Sequence, residues 1–373
     1  MKKNLVVCVG LALSATQVMA TSSVADGRGT AMGGVGVASA DYLSGAFVNP
    51  ALTALYRNND DFGLLLPSVG ISVNDPSSSI DTLDELEGLF KKFESDPTQA
   101  NSEKLNSSLD NLQQSRPAFV TAGAGVAISI PSDIVSANLF ARGYANVVAI
   151  PKISSDSDVT TRYNNSTVDL IGFSYREVGL AFAKDMTLYS QKIAFGISPK
   201  YQMLSTYNDT VSVNDFDIKD YDKSELEADG FNFDLGAVWH HKHYQVGLAI
   251  KDVLGHKMKA GINHSYEMSP KATVGAAYKH RFFTVATDLD LTKQGHFTNI
   301  DDDTQYIRFG AEFNGWDWMQ LRAGIEHDIE GTYDTAFTGG VGLSPFDIVN
   351  LDLGCEYAGE DQYGATASLS VTF

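Results

Sequence analysis

Residues 349–373 read VNLDLGCEYAGEDQYGATASLSVTF, and side-chain character flips at nearly every step. Val349, Leu351, Leu353 and Tyr357 fall on one side; Asn350, Asp352, Gly354 and Glu356 fall on the other. After a short break, Tyr363, Ala365, Ala367, Leu369, Val371 and Phe373 oppose Gly364, Thr366, Ser368, Ser370 and Thr372. A period of two belongs to strands, whose successive side chains point to opposite faces. Each strand here has one apolar and one polar face.

The same unit, about ten alternating residues and then a turn, recurs from Phe231 onward. Phe231, Phe233, Leu235, Ala237 and Trp239 oppose Asn232, Asp234, Gly236 and Val238, and Phe283, Val285, Leu289 and Leu291 oppose Thr284, Ala286, Asp288 and Asp290. Over the whole chain the pattern predicts fourteen strands, near 62–74, 117–130, 138–149, 172–184, 190–206, 229–240, 243–253, 270–280, 282–292, 304–314, 318–328, 334–345, 347–357 and 362–373. Connections after the even strands are short, and those after strands 1, 3, 5 and 7 are long. That asymmetry belongs to outer-membrane barrels, with short periplasmic turns and longer external loops. The expected fold is therefore all-β: a transmembrane antiparallel β-barrel of about fourteen strands over residues 61–373. A soluble sandwich alternates too, but does not explain polar inner faces on so many consecutive strands. Trp239, Trp316 and Trp318 fall at or beside short turns, where a periplasmic aromatic girdle would place them.

Composition narrows the function. The 373 residues carry 27 Lys+Arg against 46 Asp+Glu, a net charge of −19. A chain this acidic lacks the basic surface that phosphate contacts need, so no nucleic-acid partner is expected. No run approaches the roughly 18 apolar residues of a spanning helix. Lys2 and Lys3, the apolar stretch Leu5–Ala15 and small residues at Val18 and Ala20 read as a signal peptide over residues 1–20, cleaved after Ala20. Of two cysteines, Cys8 lies in that segment, leaving Cys355 with no disulfide partner and no CxxC. A closed barrel supplies rigidity without disulfides, because every strand is paired.

One insertion departs from the β pattern. Between residues 81 and 114, Leu83, Leu86, Leu89, Phe90 and Phe93, then Leu105, Leu109 and Leu112 beyond Pro97, recur at helical spacing. They predict two short amphipathic helices in the first external loop. The two readings are a docking face, lid or groove, and a helical loop packed on the barrel mouth.

Residues 26–55, DGRGTAMGGVGVASADYLSGAFVNPALTAL, resemble the N-terminal segment of FadL-type outer-membrane barrels, with an MGGxGVA stretch at Met32–Ala38 and NPA at Asn49, Pro50 and Ala51. The resemblance implies an N-terminal luminal hatch over residues 21–60, beneath a fourteen-stranded barrel that passes hydrophobic molecules. It assigns hatch roles to Met32, Gly33, Gly34, Gly36, Asn49, Pro50 and Ala51. FNFDLGAVW, SPKATVGAAY, TQYIRFGAE, LRAGIEHD and TGGVGLSPFDIV are similar to the barrel proteins catalogued as TraF-type conjugal transfer proteins. The pattern closing on Phe373 resembles the terminal-strand signal read by the barrel-insertion machinery.

Charge on the expected lumen face falls on Asp288, Asp290, Arg308, Glu312, Arg322, Glu326, Asp328, Asp352 and Glu356. A wide barrel is lined by polar networks and water. These groups read as ion pairs holding wall and plug, or as a selectivity path or hatch latch, with Arg308 and Arg322 the expected partners of the carboxylates. His240, His241 and His243 share one exposed turn, a poor frame for a closed metal site. Asp215, Asp217, Asp220, Asp222 and Glu225 lack EF-hand spacing, and Asp301, Asp302 and Asp303 form a second acidic loop. No GxSxG, HExxH or P-loop is present. The expectation is a monomeric, cofactor-free, metal-free, non-enzymatic outer-membrane protein in contact with lipid and lipopolysaccharide. Its expected function is passive uptake or binding of small hydrophobic molecules. The alternative is a structural or interaction protein tied to conjugal plasmid transfer, working through residues 81–114 and the acidic loops.

Overall fold

The computed structural model describes residues 26–373 apart from Asn58, 215–224, 261–263, His296, Asn299, Asp301, Asp317, Phe346, Asp347 and Glu360. The signal-peptide reading of residues 1–20, and Asp215, Asp217, Asp220, Asp222 and Asp301 of the acidic loops, lie outside the described residues.

The chain runs through β1 (Gly63–Asn74), β2 (Ala118–Ile130), β3 (Ser136–Lys152), β4 (Thr167–Leu188), β5 (Gln191–Ser212), β6 (Leu226–His241), β7 (Tyr244–Lys251), β8 (His256–Ala260), β9 (His264–Met268), β10 (Lys271–Lys279), β11 (Phe283–Asp290), β12 (Tyr306–Trp316), β13 (Met319–Asp328), β14 (Ala336–Leu343), β15 (Val349–Gly359) and β16 (Gln362–Thr372). All but β8 and β9 form one closed barrel of fourteen strands. β1 closes on β16, from Gly63 opposite Thr372 to Asn74 opposite Gln362. Closure satisfies the backbone within the wall, the condition for crossing lipid. Among the described residues no helix is long and apolar enough to cross a membrane. Pro67 has no N–H to give a ladder, and β1 shifts register around it on both sides. The turn Tyr189–Ser190 has both residues at positive φ, the geometry of a tight two-residue hairpin.

Polarity is inverted relative to a soluble domain. Large apolar side chains such as Leu180, Phe182, Phe195, Leu248 and Phe309 are exposed on the outer wall, while Asn138, Arg142, Lys200 and Asp234 are buried inside. Tyr244, Tyr278, Phe283, Phe313 and Trp316 ring the short-turn side of β7, β10, β11 and β12, in ring-to-ring contact through Tyr244–Tyr278, Tyr278–Phe283 and Phe313–Trp316. Trp316 and Trp318 are exposed there, and the Trp239 indole N–H donates to Gln191. At the other rim Phe337, Tyr357 and Tyr363 are register partners across β14–β16. An apolar belt between aromatic girdles is the exterior of a membrane barrel, and the protein is an outer-membrane β-barrel.

The wall is lopsided. β3 to β6 have 17, 22, 22 and 16 residues, against 8 to 11 for β7 and β10–β16. The sequence pattern predicts shorter third to fifth strands, because their outer parts lose strict alternation. Pairing continues there regardless, up to Thr167 opposite Ser212. β7 instead stops at Lys251. Asp252 takes a positive φ and turns the chain inward, and its N–H donates to Asp234 at 2.7 Å. The hairpin β8–β9 that follows packs Met258, Ala260, Tyr266 and Met268 against Phe173, Tyr175 and Leu204 inside the mouth. No sequence expectation covered this hairpin.

The lumen holds residues 26–56, with two short helices, α1 (Gly27–Ala31) and α2 (Gly45–Val48), and a 3-10 turn, Pro50–Ala54. Above the tall wall, α3 (Ser79–Ser95) and α4 (Gln99–Gln113) form a helical hairpin, joined by α5 (Val159–Asn164) from the next loop. Leu83, Leu86, Leu105, Leu109 and Leu112 are buried against Val159, Tyr163, Val168 and Val211. Phe90 stacks on Tyr163 at 4.0 Å, and Arg162 ties Asn106, Asp110 and Gln113 of α4 to α5.

Candidate functional site

The plug lies directly on the wall, and glycine makes that approach possible. Gly196 faces Gly236 across β5–β6, Gly247 faces Gly275 across β7–β10, Gly310 faces Gly324 across β12–β13, and Gly340 faces Gly354 across β14–β15. At all of these but Gly275, an added Cβ would come closer than 3.0 Å to a plug atom. Those plug atoms belong to Asn49–Ala51, Val37, Met32–Gly33, and Gly27 with Ala31. Each inward glycine stands on the polar face of an otherwise alternating strand, so this belt was readable in the sequence and was missed.

Within the plug, Asn49 is fully buried. Its amide donates to Val37 O at 2.8 Å and accepts from Ala51 N at 3.1 Å, with Pro50 opening the 3-10 turn. Gly33 and Gly34 both have positive φ, which lets the chain reverse after α1. Gly33 N donates to Thr338 at 2.7 Å, and Gly36 N and Val37 N both donate to Asp288 at 2.7 and 3.0 Å. Met32 is buried with Val35, Ala38, Ala277 and Ala286, and Ala51 is buried with Leu52 and Val238. Asp26 caps α1, accepting from Gly29 N at 3.0 Å. Burial, reinforced by nearby Asp41, pushes its carboxyl up to about 6.

The lumen charges separate into sets. In one, Glu312 takes Arg28 of the plug and Arg322, each at 2.8 Å, and Arg322 reaches Asp352 at 2.5 Å. In a second, Asp290 takes Lys271 at 3.0 Å and Arg308 at 3.1 Å, while Arg308 also holds Glu326. Asp288 serves plug backbone instead. Glu356 accepts the Ser72 hydroxyl. Asp328 lies apart, gathering Gln305, Glu330, Thr332 and Tyr333 backbone N–H groups in the outer loops.

A third set was not anticipated. Arg142 holds Glu177, and Lys200 holds Asp234 and Asp252, each at 2.8 Å, with Glu177 at 3.4 Å. Gln202 and Asn232 bind the same carboxylates. Arg142 and Lys251 both donate to Phe47 O in α2, at 3.2 and 2.8 Å. Apart from Asp252, which follows β7, the members of this set are inward residues of β3–β7, where polar and charged side chains sit at alternate positions just as on β11–β15. His240 and His243 each spend a ring nitrogen locally, on Asp185 and on Lys279 O.

Above the plug a cavity of about 290 Å³ opens toward the outer mouth. Phe119, Tyr144, Tyr175, Tyr266, Tyr333 and Met268 form its aromatic and apolar walls, and Lys251, Lys271 and Arg308 lie at its base. Tyr266 of the inserted hairpin stacks on Phe173. A smaller cavity of about 70 Å³ lies between plug and wall, bordered by Asp26, Gly34, Val37 and Asp288.

Residues 46–290, well over half the chain, match the family described as "F plasmid transfer operon, TraF, protein". The chain belongs to this family. The solved structures similar to this TraF-family barrel include a deletion mutant of TodX described as a monoaromatic hydrocarbon channel, with TM-score 0.58 and 11% identity over 95% of this chain and 100% of that one. The toluene transporter TbuX of Ralstonia pickettii gives 0.57 and 12%, covering 95% and 99%. The toluene transporter TodX of P. putida gives 0.52 and 13%, also covering 95% and 99%. At such identities the likeness is one of fold. No curated protein matches by sequence.

Proposed function

We propose that this TraF-family barrel passes small molecules with an aromatic or apolar body across the outer membrane, passively and without catalysis. The observation that carries the reading is the aromatic cavity above a plug, inside a closed fourteen-strand barrel. Its aromatic side chains stand among many polar and charged groups, and a concave site of that mixed character can hold a small ligand by an apolar body and orient it by a polar end. The roles of the fold relatives, toluene and monoaromatic hydrocarbon transport, support it. In this account residues 1–20 are removed, 21–60 form the hatch, and 61–373 form a monomeric barrel inserted through its Phe373 strand. Met32, Gly33, Gly34, Gly36, Asn49, Pro50 and Ala51 seat the hatch, and the Asp290–Arg308 and Glu312–Arg322–Asp352 sets latch it. The test is accumulation of radiolabelled toluene and benzyl alcohol by cells with and without the protein. The lipopolysaccharide leaflet slows both, so faster accumulation is expected with the protein, and equal rates would refute the reading.

A second reading is favoured by the helical hairpin α3–α4, a folded unit outside the channel, together with the family's plasmid-transfer description. It makes the barrel a platform whose hairpin contacts a partner during conjugation. Deleting residues 79–113 would then lower mating frequency and leave uptake unchanged.

A further inference from the structure

The two lumen cavities share three bordering residues, Lys251, Lys271 and Arg308, and all three are cations. They form the neck between the aromatic chamber and the space beside the plug. Lys251 and Lys271 are direct register partners across β7–β10. Like charges placed opposite each other on neighbouring strands repel, so this pair needs a compensating anion. Lys271 has one in Asp290, at 3.0 Å, and Arg308 has two, Asp290 and Glu326. Lys251 has no carboxylate within 4 Å among the described residues; its ammonium donates to Phe47 O at 2.8 Å. An ammonium carries three donors, so two remain. The other carboxylates bordering the chamber are engaged elsewhere: Asp252 by Lys200, Asp302 by Phe297 N, Asp334 by Gln362 and Arg116, and Glu356 by Ser72. On the plug side Asp26 and Asp288 also border the neck, but both accept from plug backbone N–H groups, so Lys251 is the neck cation with no carboxylate of its own among the described residues.

We propose that the neck is a subsite for the carboxylate of a small organic anion, with Lys251 as its anchor. Cargo then combines one acidic head at the neck with an aromatic or apolar body against Tyr144, Tyr175 and Tyr266. This deepens the uptake reading and rests on it for the direction of travel, while binding at the neck stands or falls separately. A charge-assisted hydrogen bond in a confined site is worth about a tenfold preference or more.

The experiment is calorimetric titration of the detergent-purified full-length mature protein with benzoate, benzyl alcohol and benzylamine, which share a ring and differ in head group. Benzoate is expected to bind about tenfold more tightly than benzyl alcohol, and benzylamine most weakly. Lys251→Met should bring benzoate down to the level of benzyl alcohol in the same variant, and Lys251→Arg should keep benzoate ahead. Heat-modifiable gel mobility identifies folded barrel in each case. Equal binding of the three probes, no binding of benzoate, or a benzoate preference that survives Lys251→Met overturns the proposal. If benzoate binds as described and cellular uptake of all three is unaffected by the protein, the neck stands and the uptake reading falls.

Discussion

Asn49 spends both ends of its amide inside the plug, joining Val37 O to Ala51 N while fully buried. Truncating it strands both partners away from water, at a cost of about 1–3 kcal/mol each way of counting. Asn49→Ala is therefore expected to leave the barrel folded and the plug open to limited proteolysis, with a lower unfolding temperature. Asp26 carries a pH dependence of definite sign. Its folded value of about 6 lies above the ordinary 3.8. Its contribution to stability is therefore fully present below about pH 4 and is lost as pH rises through about 6. Asp26→Asn keeps an N-cap acceptor without the charge. It should gain thermal stability over the natural protein as pH rises from 4 to 7.5; a difference flat with pH would contradict this. Lys200 is the third case. It is fully buried among Glu177, Asp234 and Asp252. Removing the cation leaves buried carboxylates uncompensated, typically costing about 3–5 kcal/mol. Lys200→Met should lower the unfolding temperature far more than Arg57→Met, whose guanidinium is half exposed and stays open to solvent screening although its partner Asp60 is buried.

At the scale of elements, the paired wall glycines and the plug form one fitted surface. A side chain at Gly310 or Gly236 has nowhere to go except into plug atoms. Gly310→Val should displace the plug and raise single-channel conductance in planar bilayers. Gly88→Ala in α3 is the control, since nothing lies within 4 Å of an added Cβ there. The β8–β9 hairpin is the other element that decides the site, because it carries Tyr266 and Met268 into the chamber. Its origin explains why sequence reading missed it. Five-residue strands with one lysine-rich face give too short an alternation to stand out from a loop, and the inward turn depends on Asp252 finding Lys200, Gln202 and Asp234, contacts between distant strands. The barrel strands themselves were legible because period two persisted for eight residues or more on each. The helices at 79–113 were legible for the same kind of reason, with leucines at 3.6-residue spacing. The outer halves of β4 and β5 were not, since both faces carry apolar side chains there: Ile171 and Phe173 pack on the β8–β9 hairpin, Val168 and Val211 on the helices, and the apolar/polar alternation is lost.

For the molecule as a whole, closure was visible in the sequence as even strand number and alternating loop length, while the interior was visible only in part. The charges of β11–β15 were found by alternation, but their partition into separate pairings depends on register and plug position. Arg28 shows the difference: one cation in a glycine-rich stretch, it becomes the cross-link from plug to Glu312. The aromatic chamber draws Phe119, Tyr144, Tyr175, Tyr266 and Tyr333 from four strands and one loop, and no linear spacing joins them. What links these scales is the claim that the chamber above the plug is where cargo binds. Crystallography of the mature protein soaked with bromobenzene tests it most directly, because bromine marks its own position by anomalous scattering. The account predicts a bromine peak between Tyr144, Tyr175 and Tyr266, lost in Tyr266→Ala. Bromine found only on the outer apolar belt, with the chamber empty, would contradict it.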